Sequence, residues 1–238
     1  MSLAKRSALL ALALLTAACA HRPSHDPADP LEPVNRGIYQ FNSTADKYVL
    51  RPVAKGYEFV LPGFARNGIN NFFGNLFYPV TIVNQVLQGK FKRGGADLGR
   101  LLVNTTIGLG GLIDVASHWG LPAHGEDFGQ TFGRWGVGEG WYLMLPFLGP
   151  STNRDLVGRI VGGPFTPLYY SDDAALIWGF TLLDAVQTRA QLLKADRLLD
   201  DQLDPYVFVR SSYLQQRWSA QHDGNPPLDD DAFEDFDF

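Results

Sequence analysis

LLVNTTIGLGGLIDVASHWGLPAHGEDFGQTFGRWGVGEGWYLMLPFLGP, residues 101–150, holds 11 of the chain's 25 glycines but only five charged residues, Asp114, Glu126, Asp127, Arg134 and Glu139. A water-facing loop so rich in glycine is ordinarily polar. A packed core so apolar is ordinarily poor in glycine, which loses more backbone entropy on folding than any other residue. The stretch therefore suits a surface that is neither water nor ordinary core, and a lipid bilayer meets that description. Its uncharged run 101–113 contains Asn104, Thr105 and Thr106. At about 13 residues it is short of the roughly 20 that a membrane-crossing helix needs, so a buried, interfacial or re-entrant segment is expected.

Outward from that stretch the periodicity is helical. Over 91–106, Phe91, Leu98, Leu101, Leu102 and Thr105 share one face, while Arg93, Asp97, Arg100 and Asn104 line another. Upstream, Asn35 is expected to cap a helix carrying Ile38, Phe41, Ala45, Tyr48 and Val49, and a short helix follows over 53–60. An aromatic-dense stretch over 64–78 suits a core corner or a membrane interface. Pro79 is then expected to open a helix that ends at Gly89. Downstream, 119–150 shows little periodicity, and Ser151 is expected to cap a helix carrying an Asp155–Arg159 pair.

The clearest helix covers 173–194. Asp173, Thr181, Asp184, Gln187, Thr188, Gln191 and Lys194 fall within one arc of roughly 140°, and almost everything else is apolar. A surface helix in water shows the reverse proportion. Asp204 and Pro205 begin a last helix through Trp218. No strand is expected, so the fold class is all-α, in a single domain.

The ends are built differently. Lys5 and Arg6 precede an apolar run over 7–18 that is too short to span a membrane and reads as a signal segment, 1–18. It closes on LTAAC, whose Cys19 is the chain's sole cysteine and resembles the acylated residue of a bacterial lipobox. Ala20, where an aspartate would signal inner-membrane retention, points to the outer membrane. Residues 19–34 are polar and proline-broken, a lipidated tether to a helical domain over 35–221. Residues 222–238 form an acidic tail whose composition is that of a disordered segment. Setting aside the +2 of Lys5 and Arg6 and the −6 of the carboxylates over 229–237, the net charge of −5 leaves −1 for residues 7–228. A near-neutral body argues against nucleic acid as a partner.

Enzyme signatures are missing from the sequence: no G-x-S-x-G, no H-E-x-x-H, no phosphate-binding loop and no zinc-type cysteine spacing. No metal or cofactor is expected. His124, Glu126 and Asp127 are the strongest acid–base or metal-ligand grouping, and a solvated or capping turn is the alternative. An envelope lipid hydrolase would have to work through those three residues.

The motifs resemble the MlaA (VacJ) family of outer-membrane lipoproteins. They are DPLEPVNRGIYQFN (29–42), YVLRPVAKGY (48–57), PVTIVNQVLQGKF (79–91), LGRLLVNTTIGLGGLIDVA (98–116), EDFGQTFGRWGVGEGWYLMLPFLGPSTNRDLVG (126–158) and DPYVFVRSSYLQQR (204–217). The resemblance implies a helical ring, monotopic in the inner leaflet of the outer membrane, with a central polar channel. It also implies a role in removing misplaced phospholipid, with a trimeric porin and a soluble periplasmic lipid carrier as partners. A structural companion of the porin is a weaker alternative. On that footing Arg93, Asp97, Arg100, Asn104, Thr105, Asp184, Gln187 and Gln191 are expected to line the channel, and Gly108, Gly110 and Gly111 to form a hinge.

Overall fold

The computed structural model describes residues 29–227. The signal segment, Cys19, the tether up to residue 28 and the acidic tail from residue 228 lie outside the described residues. The chain begins with α1 (Glu32–Ala45), which runs without interruption through a π-helical turn, Asp46–Leu50, into α2 (Arg51–Val60). Pro52 therefore does not end the first helix. It lies inside the continuous helix, where the wide π turn just before it accommodates the missing N–H and the change of register.

α3 (Gly63–Leu87) runs straight through Pro79 and so replaces the expected helix start there. An interior proline costs about 3 kcal/mol, but tertiary packing holds the helix together. Phe73 stacks on Phe77 at 6.2 Å, while Phe72 and Phe73 meet Phe180 at 5.6 and 6.0 Å. α4 (Phe91–Thr106) has the expected bounds and is followed by a short α5 (Val115–His118). The stretch without periodicity contains α6 (Phe128–Arg134) and an antiparallel hairpin, β1 (Tyr142–Leu145) and β2 (Gly149–Thr152), that the sequence did not announce.

Thr152, the last residue of β2, caps α7 (Asn153–Gly162) in place of Ser151, its hydroxyl accepting from the Asp155 amide. α8 (Ala174–Leu192) is capped by the Asp173 side chain, and its expected last turn is a 3₁₀ segment, Leu193–Ala195. α9 (Asp196–Asp200) leads to α10 (Pro205–Gln221), capped by Asp204 as expected.

The neighbours close a circuit. α1 packs on β1, β2 on α10, α10 on α6, α6 on α3, α3 on α8 and α8 on α2. Two asparagines of α1 fasten the hairpin to it. Asn35 donates to the Tyr142 carbonyl at 3.0 Å and accepts from the Met144 amide at 2.9 Å, and Asn42 does the same for Leu145 and Phe147 at 2.9 Å each. Asn35 is thus no helix cap; it lies inside α1 and completes the hydrogen bonding of β1. α4 lies outside the circuit, against α3.

The burial pattern is inverted relative to a protein folded in water. Among the described residues eight hydrophobic side chains are buried against eighteen polar or charged ones, while 37 large apolar side chains are exposed. Such a distribution suits an apolar surrounding rather than water, since water-exposed apolar area costs about 25 cal/mol per Å². Among the described residues no helix is long and apolar enough to cross a membrane.

Candidate functional site: a polar seam beside an apolar rim

Asn71, Asn75 and Tyr78 recur at helical spacing on α3 and face Asp97, Arg100 and Asn104 of α4. Between them, with Asn70 and Asp114, lies a cavity of about 250 Å³. Arg100 donates from Nη2 to both Asp114 oxygens at 2.9 and 3.0 Å and from Nη1 to Ser117 Oγ and the Leu121 carbonyl. Asn104 donates to Asp114 at 2.9 Å and accepts from the Ala116 amide at 2.9 Å. One carboxylate therefore organises the whole turn after α4. Burial pushes the Asp114 carboxyl up, but the hydrogen bonds from Ser117, Asn104 and Arg100 outweigh it and hold the group at about 2. Burial and Asp97, opposed by the His124 amide, push the Tyr78 hydroxyl up to about 12.

A carboxyl held below its ordinary value contributes stability above that value, and the contribution is lost as pH falls through the lowered one. For Asp114 the window runs from about 3.8 down to about 2. The amides of Gly111 and Ala116, which Asn104 holds, should lose hydrogen-exchange protection across that window. An Asp114→Asn protein should show flat protection factors, and a flat profile in the wild type would overturn the assignment.

The 107–114 turn is tied down. Gly110 and Gly111 donate to the Thr105 and Asn104 carbonyls at 3.0 and 2.8 Å, and Asn71 donates to the Leu112 carbonyl at 3.3 Å. Leu109, Gly110 and Gly111 have φ of 54°, 72° and 95°. A Cβ on Gly111 would lie 2.4 Å from Asn75 Cβ, and one on Gly108 would lie 2.3 Å from the Ile113 carbonyl oxygen; Gly110 faces open space. Two of the three glycines are thus sites of close approach. The outer side of the same turn is apolar and exposed, at Ile107, Leu109, Leu112 and Ile113.

Most of the residues read from the sequence as a polar lining connect to this seam. Arg100 and Asn104 line its cavity, and Thr105 accepts from Asn75 at 2.9 Å. Asp97 is fully buried, receiving Tyr78 Oη at 2.7 Å and standing 2.8 Å from His124 Nδ1. From α8, Gln191 donates to Asn70 at 2.7 Å and to Gln187 at 2.8 Å, and Gln187 donates to Asp184 at 3.3 Å. Arg93 does not join them; it pairs with Asp223 at 2.8 Å, at the opposite end of α4.

His124, Glu126 and Asp127 go to three separate sets of partners. His124 meets Asp97, Glu126 takes Lys90 at 2.7 Å and Gln88 at 2.8 Å, and Asp127 caps α6 while binding Arg217. Among the described residues no three His, Cys, Asp or Glu side chains are placed to hold a metal ion.

The sequence reading missed a second polar system. A cavity of about 620 Å³ lies between α3, α6, α7 and α10, with Phe77 and Phe128 on one wall and Arg159 and Gln216 on another. Its centre is Arg217, which donates to Asp127 at 2.9 Å and to Asp155 at 2.7 Å, and Asp155 also accepts from Tyr213 at 2.6 Å. Burial opposes the Arg217 charge, and the two carboxylates outweigh it and raise its pKa. Burial first, then Asp155, pushes the Tyr213 hydroxyl up. The expected Asp155–Arg159 pair gives way to this arrangement. Its one local trace in the sequence is the four-residue spacing of Tyr213 and Arg217 on the last helix.

Three comparisons bear on this arrangement. A family model described as MlaA lipoprotein matches residues 27–220. The intermembrane phospholipid transport system lipoprotein MlaA of Escherichia coli (strain K12) is 41% identical over 197 residues, covering 79% of this chain and 76% of that protein. The protein of the same description from Haemophilus influenzae is 34% identical over 203 residues, covering 82% and 80%. A solved structure, described as the structural basis for maintenance of bacterial outer membrane lipid asymmetry, is similar with a TM-score of 0.74 and 40% identity. It covers 83% of this chain and 99% of that one.

Proposed function

The chain belongs to the MlaA lipoprotein family, and on that premise we propose that it removes phospholipids misplaced in the outer leaflet of the outer membrane and hands them to a soluble periplasmic carrier. Cys19 anchors it by acylation, each buried CH₂ contributing about 0.8 kcal/mol, and the helical body sits in the periplasmic leaflet beside a trimeric porin.

The observation that carries this reading is the inverted burial: a polar seam directly behind an apolar rim. A lipid head group entering hydrocarbon alone costs several kcal/mol. Along the seam it meets Asn70, Asn75, Arg100 and Asn104, with Thr105 and Gln191 at its edge, while the acyl chains stay against Ile107, Leu109 and Leu112. Such a path moves a lipid without breaking a bond. The separate partners of His124, Glu126 and Asp127 favour this over hydrolysis, because each is held by a different group, His124 by Asp97, Glu126 by Lys90 and Asp127 by Arg217. Of the three glycines expected to form a hinge, Gly110 is the one with open space beside it.

The test is genetic and biochemical together. In cells lacking the locus, the wild-type chain should restore low outer-leaflet phospholipid and detergent resistance, and Cys19→Ala should not. Restoration by Cys19→Ala, or release of fatty acid from labelled phospholipid by the purified protein, would overturn the proposal.

A further inference from the structure

The turn joining α3 to α4 presents a patch of mixed chemistry. Val86, Leu87 and Phe91 are exposed there, Phe91 by 69%, and Trp135 from the end of α6 joins them through a 3.3 Å hydrogen bond from its Nε1 to the Leu87 carbonyl. Cations surround the apolar side chains: Lys90, Lys92, Arg93 and Arg134. Lys92 and Arg134 have no carboxylate partner among the described residues, whereas Lys90 and Arg93 converge on Asp223 at 2.5 and 2.8 Å. Asp223 stands just past α10 with φ of 57°, a conformation that non-glycine residues adopt rarely. The patch therefore already holds one carboxylate of the C-terminal segment.

We infer that residues 229–238 of the same chain dock on this patch. The segment reads DDDAFEDFDF, six carboxylates interleaved with Phe233, Phe236 and Phe238. It supplies anions for Lys92, Arg93 and Arg134 and rings for Phe91, Leu87 and Trp135. Asp223 fixes its origin, and the six residues to Asp229 reach at most about 20 Å, ample to set the carboxylates over the first turn of α4. This inference stands apart from the lipid path and survives or fails without it.

Zero-length carbodiimide cross-linking of the full-length lipidated protein in neutral detergent, followed by peptide mass spectrometry, tests it. At 50 mM NaCl, Lys92 should cross-link to carboxylates of 229–237. An equal mixture of heavy- and light-isotope chains should show these links within one chain. The yield should fall at least tenfold at 1 M NaCl, where the Debye length is about 3 Å. It should fall comparably in the variant carrying Phe233→Ser, Phe236→Ser and Phe238→Ser, which keeps every charge and leaves the folded body untouched. Absence of the cross-link at low salt, links between heavy and light chains, or full yield in the serine variant would each overturn the inference.

Discussion

Asp29→Ala should destabilise the protein by about 3–5 kcal/mol, the cost of removing one partner from a buried ion pair. Asp29 is fully buried, and three elements depend on it. One oxygen accepts from Asn35 of α1 at 2.7 Å; the other accepts from Arg210 at 3.0 Å and from Tyr206 Oη, both on α10. Asn35 in turn holds the Tyr142 carbonyl and the Met144 amide of β1. Without the carboxylate, the Arg210 guanidinium, only 11% exposed, loses this counter-ion, and Asn35 loses the acceptor that fixes its rotamer. Asp29→Asn keeps the shape and should cost less. The denaturant midpoint in detergent, with hydrogen exchange at Met144, gives the measurement. A loss under about 1 kcal/mol in the alanine protein would mean that the circuit closes without this group.

The same network shows where sequence reading stops. The bounds of α4 were legible because its polar and apolar faces alternate at helical period and its partner α3 is adjacent in the chain. Asn35 was misread because a short polar side chain near a helix start ordinarily caps it. Its true partners lie more than 100 residues away in a hairpin that has no alternating pattern of its own. Pro79 was misread for a related reason, since local propensity favours a helix start, while tertiary contacts on both sides of the proline, Phe73 with Phe180 and Asn84 with Thr131, hold the helix continuous. In the candidate site, Arg100 and Asn104 were visible as a stripe, yet Asp114, which binds both, stands beyond the end of that helix, past a glycine-rich turn. Arg217 and Asp155 meet across 62 residues, and no local spacing foretells that.

Gly111→Val should nearly abolish phospholipid removal while leaving the amount of the chain and its membrane fractionation at the wild-type level. The backbone at Gly111 has φ of 95°, outside the range of β-branched residues, and the new Cβ would stand 2.4 Å from Asn75 Cβ. Asn75 Cβ sits directly on the α3 backbone and cannot swing away, so the turn itself must lift off. Lifting it breaks the Gly111 amide bond to Asn104 and the Asn71 bond to Leu112, and opens the cavity that Arg100 and Asn104 line. Gly110→Ala is the matched control. Its φ of 72° costs a non-glycine residue about 1–2 kcal/mol, but its Cβ meets nothing within 4 Å, so the turn stays docked and lipid removal should fall only modestly. The pair separates close approach from backbone freedom, which a double replacement of both glycines would confound. Wild-type lipid removal by Gly111→Val would place the lipid path elsewhere, with the cavity around Arg217 the next wall to probe. A severe loss in Gly110→Ala as well would instead make mobility of the turn, and not its docking, the property that transport requires.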